Sequence, residues 1–277
     1  MTTQTLPTEP VDRPSEPPLR KWVVPIRVLA GLATVAVLAA GTVSAVAFFM
    51  IRSTTETSHF PDRVSRVQVT GETGDVWVRT DSAAQGATVL SYGRSAFRTT
   101  THSERVIDGV LQVTGSCRGG GAALLDQCSI NFKITVPPGT AVTVRTTTGE
   151  IAVTGTSAPV TAQSNTGDIH VWKASGPIQL ITDIGDINGE LLSSGVASGR
   201  SNTGDVRLNF TAAPDQITAN TDIGDIRIQV PDDATKYRVT ADVNLGERQI
   251  KVPTDAASPR VADLSTATGD IRMGFTN

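Results

Sequence analysis

Residues 164–171 read Ser-Asn-Thr-Gly-Asp-Ile-His-Val, and residues 182–189 read Thr-Asp-Ile-Gly-Asp-Ile-Asn-Gly. A glycine, an acid and an aliphatic residue form the nucleus of both. The nucleus recurs at Gly149-Glu150, Gly167-Asp168, Gly185-Asp186, Gly204-Asp205, Gly224-Asp225, Gly246-Glu247 and Gly269-Asp270, at spacings of 18, 18, 19, 20, 22 and 23 residues. An earlier copy stands at Gly74-Asp75. Two residues after the glycine come Val76, Ile151, Ile169, Ile187, Val206, Ile226 and Ile271, with Arg248 the exception. Before it lie alternating apolar pairs such as Val142/Val144, Val160/Ala162, Ile178/Leu180 and Ile217/Ala219, then a hydroxyl lane of Thr146, Ser164, Thr182, Ser201, Thr221 and Thr266.

Each unit therefore reads as a period-2 strand, a glycine turn and a second period-2 strand. One such unit cannot bury its apolar face alone, so units about 20 residues long stack. Stacking sets Ile on Ile and Val on Val about 4.8 Å apart, with backbone bonds running between coils. The expected fold is all-β, a parallel β-solenoid. A β-sandwich with frequent turns is the alternative. The composition agrees: 38 threonines and few aromatics (7 Phe, 3 Trp, 2 Tyr) suit a narrow interior of small β-branched side chains.

Residues 79–140 break the period and are expected to form irregular coils with a protruding loop. Within them Asp108-Gly109 marks a hairpin, and Pro137-Pro138 ends a strand.

Upstream of the repeat, residues 28–51 are 24 consecutive residues without a charge. At about 1.5 Å per residue they could cross a hydrocarbon core of about 30 Å. A cleaved signal peptide competes, with small-residue sites around Ala45 and Ala47, but the run is long for one and continues through Phe48 to Ile51. An uncleaved single span is the expectation, with the N-terminus inside. Residues 1–27 hold 6 of the 15 prolines and read as a disordered cytoplasmic tail. Residues 52–66 read as a stem, and 67–277 as the solenoid.

Cys117 and Cys128 are the only cysteines. Outside the cell they would pair as a structural disulfide; two free thiols are the alternative. The net charge of −3 lacks the basic footprint of a nucleic-acid binder. Three histidines and two cysteines are few for a zinc, haem or iron–sulfur centre. No cofactor is expected.

The repeated acids (Asp75, Glu150, Asp168, Asp186, Asp205, Asp225, Glu247 and Asp270) should form one lane along the turns. Carboxylates about 5 Å apart repel by roughly 1 kcal/mol in water and about 3 at an effective dielectric of 20, so something must offset them. Turn chemistry is the simpler role, since Asp accepts from nearby backbone and glycine supplies positive φ. Calcium between turns is the alternative. Catalysis by Asp168, Asp186 and Asp205 is disfavoured, because identical repeat positions do not separate two pKa values. No catalytic residue is expected.

The stretch Ile134-Thr135-Val136-Pro137-Pro138-Gly139, then Val142-Thr143-Val144-Arg145-Thr146-Thr147-Thr148-Gly149-Glu150-Ile151-Ala152-Val153, resembles a family of bacterial domains described as putative adhesins and otherwise of unknown function. The Asn-Thr-Gly-Asp and Asp-Ile-Gly-Asp turns and Val230-Pro231-Asp232-Asp233 match it too, so the resemblance covers about 67–277. It implies a β-solenoid outside the cell membrane and a surface role, without chemistry. The expected function is a non-catalytic, membrane-anchored module of the cell envelope that binds a cell-wall or surface glycan or a protein. An envelope-stress or regulatory accessory acting through span and tail is the alternative. The chain stops just after the Ile271–Phe275 strand. The last coil is therefore expected to leave an open edge suited to self-association.

Overall fold

The computed structural model describes residues 29–35, 37, 38, 41, 51–96, 98–119 and 127–276. It divides at residue 50 into two units. In the first, the described residues are helical. No helix among the described residues is long and apolar enough to cross a membrane. Most of the 28–51 run, the whole 1–27 tail and the glycine run at 120–121 lie outside the described residues.

The second unit is built of two sheets facing each other across one core. The repeat makes the two sheets directly. Strand β8 (Ala141–Thr148), a glycine turn and β9 (Ile151–Thr154) form one coil. The following coils are β10 (Val160–Thr166) with β11 (Ile169–Trp172), and β12 (Ile178–Ile184) with β13 (Ile187–Leu192). Then come β14 (Val196–Thr203) with β15 (Val206–Phe210), and β16 (Gln216–Ile223) with β17 (Ile226–Val230). Even-numbered strands pair in parallel in one sheet, and odd-numbered strands in the other. The register sets like on like: Ile169 lies between Ile151 and Ile187. Val160 lies between Val142 and Ile178. Inward side chains fill the interior as a continuous column of Val, Ile, Leu and Ala, nearly all below 5% exposed. Phe132 and Phe210 are the buried phenylalanines, and both described tryptophans point outward.

At the C-terminal end, the order in space departs from the order in sequence. Strands β18 (Arg238–Leu245) and β19 (Arg248–Ile250) form the outermost coil. The last coil, β20 (Val261–Thr268) and β21 (Ile271–Phe275), inserts beneath it, against β16 and β17. The open edge expected at the C-terminal coil is therefore not there, and self-association through it is withdrawn. The reason is burial: Leu264, Ile271 and Met273 fill interior positions fully, whereas Val239, Val243 and Ile250 are only half-buried. Arg248 occupies the inward position that Ile holds in other coils, and donates from Nη1 to Ala241 O at 3.0 Å. An inward-pointing charge on a terminal coil blunts the edge against further stacking.

The other end also differs from expectation. Strands β2 (Arg66–Thr73) and β3 (Val76–Thr80) stack on β8 and β9, and β6 (Val110–Arg118) and β7 (Gln127–Val136) stack on them in turn. Three antiparallel strands complete the sheets: β4 (Ala87–Ala96), β5 (Thr99–Ile107) and β1 (Arg52–Phe60). Residues 79–140 are thus mostly regular strands, not irregular coils, with the Asp108-Gly109 hairpin joining β5 to β6 at φ values of 52° and 73°. The expected stem at 52–66 is replaced over its first nine residues by β1, whose Ser and Thr residues have little to bury but pair their backbone with β4 in nine-residue register.

Candidate functional site

Two features stand out on this scaffold: the turn lane that the sequence marks, and one outer sheet face.

In the turn lane each glycine is held at positive φ, +143° at Gly167 and +146° at Gly185. A Cβ at Gly185 would lie 2.3 Å from the Gly167 carbonyl oxygen, because adjacent turns stack backbone on backbone. Each aspartate after a turn glycine accepts the backbone amide of the equivalent acid in the neighbouring coil. Asp205 N–H donates to Asp186 Oδ1 at 2.8 Å, Asp186 N–H to Asp168 Oδ1 at 2.8 Å, and Asp225 N–H to Asp205 Oδ1 at 2.7 Å. Asp270 N–H donates to Asp225 at 2.8 Å, Glu247 N–H to Asp270 at 2.9 Å, and Glu150 N–H to Asp75 at 3.0 Å. Asn131 extends the ladder by accepting from Asp75 N–H at 2.9 Å. The buried hydroxyl lane completes it: Ser164, Thr182, Ser201, Thr221 and Thr266 donate to the glycine carbonyl of the coil beneath at 2.9–3.2 Å. Nearly every polar backbone group of the turn thus finds a partner, as burial requires.

The carboxylate repulsion is met by arginine. Arg207 donates to Asp186 Oδ2 at 3.2 Å and to Asp205 Oδ2. Arg272 donates to Asp270 Oδ2 at 2.5 Å and lies 3.8 Å from Asp225 Oδ2. Each guanidinium bridges two successive acids of the lane, the role considered above for calcium. Among the described residues no three His, Cys, Asp or Glu side chains converge to hold a metal.

Cys117 and Cys128 are disulfide-bonded. The bond ties β6 of one sheet to β7 of the other in the outermost parallel coil of that end.

The second feature is the outward face of the sheet ordered β1-β4-β7-β3-β9-β11-β13-β15-β17-β21-β19. Three shallow recesses open on it. One of about 210 Å³ is lined by Trp77, Tyr92, Asn131 and Lys133 among others. Another of about 220 Å³ lies between His170, Trp172, Asn188 and Glu190. A third of about 150 Å³ adjoins it, from Asn188 and Glu190 to Arg207 and Arg227. The opposite sheet's outward positions on β8, β10 and β14 carry Thr, Gln, Ser and Arg instead.

Sequence reading located the turn lane and the disulfide but missed this face. A detectable signal existed: Trp77 and Trp172 fall at outward positions of period-2 strands, where other copies have Ala152, Asn188 or Asn209. The three histidines do not gather: His59 pairs with Thr88, His102 with Glu56, and His170 lies 3.9 Å from Glu150.

Residues 140–273 match the Toastrack DUF4097 family. No curated protein matches the chain. Among solved structures, a putative adhesin from Bacteroides fragilis aligns at 15% identity over 80% of this chain and 97% of its own, with a TM-score of 0.43. A putative cell adhesion protein from Clostridium sporogenes aligns at 10% identity over 81% of this chain and 100% of its own, with a TM-score of 0.34. A putative lipid binding protein from Parabacteroides distasonis aligns at 11% identity over 82% and 97%, with a TM-score of 0.33. The stacked Gly-acid turns and the match to the Toastrack DUF4097 family coincide over the same coils, within residues 140–273.

Proposed function

We propose that the chain is a non-catalytic binding or structural module of the cell envelope, held by one span over residues 28–51, with residues 1–27 in the cytoplasm and the solenoid outside. The observation that carries the binding role is the division of labour between lane and face. Asp75, Asp168, Asp186, Asp205, Asp225 and Asp270 are committed to backbone amides, four of them also to arginines, whereas one sheet face exposes aromatic, cationic and amide groups over contiguous recesses. A rigid stacked-strand platform with such a face suits recognition of an extended ligand. The uncharged 24-residue run supports the anchor, and the Cys117–Cys128 bond supports an oxidising compartment.

The five lysines make a direct test. Lys21 lies before the span, and Lys133, Lys173, Lys236 and Lys251 are exposed on the solenoid. Intact cells carrying the full chain are treated with a membrane-impermeant amine reagent, and the sites are read by mass spectrometry. The expected result is modification of the four solenoid lysines with Lys21 protected. The reverse pattern refutes the orientation.

A further inference from the structure

The outward aromatics of the recessed sheet are not scattered. Lys133 is in register with Trp77, and Asn131 with Tyr92. His170 is in register with Ala152, itself the partner of Trp77, so Trp172 lies two residues further along its strand. In sheet order Tyr92 is on β4, Trp77 on β3 and Trp172 on β11, each separated from the next by one intervening strand. Each step thus moves two strands across and two residues along, and the rings form a diagonal with steps of roughly 12 Å. Tyr92 and Trp172 are 42% and 41% exposed, and Trp77 between them is half-buried.

The charge on the face follows the rings. The Lys133 ammonium lies 5.3 Å from the Trp77 ring centre, and the Lys173 ammonium 4.3 Å from that of Trp172. Arg79 and Arg94 take further outward positions nearby. From β1 to β13, Glu190 is the only carboxylate at an outward strand position of this sheet. A chain of net charge −3 therefore presents a cationic, aromatic strip.

We infer that this diagonal, from Tyr92 through Trp77 to Trp172, is a binding track for a linear acidic polysaccharide of the uronic-acid type. Lys133 and Lys173 swing off the tryptophan faces to meet carboxylates, pyranose rings stack by their apolar faces on the rings so freed, and Asn131 and Asn188 receive hydroxyls. A membrane surface fits less well, because it would require burying Glu190 and the two amides without partners. The inference rests on the binding-module reading and adds its ligand class and site.

The test measures binding of the full chain, in mild detergent, to polygalacturonate by calorimetry. Cellohexaose serves as the neutral glycan, polyglutamate as the acidic non-glycan, and mixed micelles of the same detergent with an anionic phospholipid as the membrane arm. Polygalacturonate is expected to bind best, with Trp77→Ala and Trp172→Ala each weakening it about 3- to 10-fold at unchanged melting temperature. Lys133→Gln with Lys173→Gln is expected to flatten its salt dependence, and Gln163→Ala on the opposite sheet to change nothing. Equal binding of polyglutamate, preference for cellohexaose or the anionic-lipid micelles, no binding of polygalacturonate, or indifference to both tryptophan variants overturns the inference. If isolated cell envelopes bind the chain while the tryptophan variants bind them equally well, the track fails and the module reading stands. If envelopes are not bound and the lysine-labelling orientation is reversed, the module reading fails.

Discussion

Replacing Asp186 separates the two things its carboxylate does. Oδ1 accepts the Asp205 amide at 2.8 Å, and Oδ2 accepts from Arg207 at 3.2 Å. Asp186→Asn keeps an acceptor oxygen in place and removes the charge. It loses an exposed ion pair, worth about 0–1 kcal/mol. It also relieves repulsion from the neighbouring acids of the lane, about 1 kcal/mol each at water-like dielectric. Relief from two neighbours, reduced by salt screening, equals or exceeds the lost pair, so Asn should be about 0–2 kcal/mol more stable than the parent. Asp186→Ala gains the same relief but strands the Asp205 N–H, which at this half-buried turn costs about 1–2 kcal/mol. Ala should therefore be less stable than Asn by about 1–2 kcal/mol. For a domain of this size that is roughly 2–8 °C in melting temperature. The assay is thermal unfolding of the parent, Asn and Ala chains by circular dichroism, in chelator and in millimolar calcium. Equal melting temperatures for Asn and Ala would refute the amide ladder. A fall for Asn as large as for Ala, together with a calcium-dependent gain in the parent alone, would return the lane to metal binding.

Three other outcomes follow from the same geometry. Gly185→Ala should prevent proper folding, since its Cβ would sit 2.3 Å from the Gly167 oxygen at a φ of +146°, whereas Gly274→Ala meets nothing within 4 Å and should fold normally; yields of soluble protein compare them. Paired Cys117→Ser and Cys128→Ser should lower stability by about 3 kcal/mol on the chain-entropy account, read as a lower melting temperature that added reductant does not lower further. Burial, opposed in part by Arg260, raises the Tyr237 phenol to about 12. The unfolded chain releases that proton near pH 10 while the fold retains it. Stability should therefore hold below pH 10 and fall by roughly 2–3 kcal/mol between pH 10 and 12, and Tyr237→Phe should flatten that limb of a denaturation series.

What could be read from the sequence was set by local chemistry repeated many times. The period, the inward Val and Ile lanes, the glycine turns and the hydroxyl lane each follow from residues within one coil, and stacking identical coils multiplies the signal. Thr182 shows how far this goes: its spacing from Gly185 marks it, and only its donor role to the Gly167 carbonyl depends on how the coils stack. Coil order, by contrast, depends on contacts between segments far apart in sequence. Spacing treats Gly246 and Gly269 as successive copies, yet the coil carrying Gly269 lies inside, because Ile271 and Met273 bury fully where Arg248 and Ile250 do not. The antiparallel strand β1 escaped for a related reason: its Thr- and Ser-rich stretch 53–58 has no apolar period to announce it and is a strand only through a partner's backbone. The arginine bridges needed the register of neighbouring coils. So did the diagonal, since Tyr92, Trp77 and Trp172 align only when β4, β7, β3, β9 and β11 lie side by side. By itself the sequence determined that this chain stacks coils on glycine turns, because each coil carries its own instruction. The tertiary structure decided which coils end the stack and which outward side chains meet, because pairing between distant strands follows total burial and register rather than proximity along the chain.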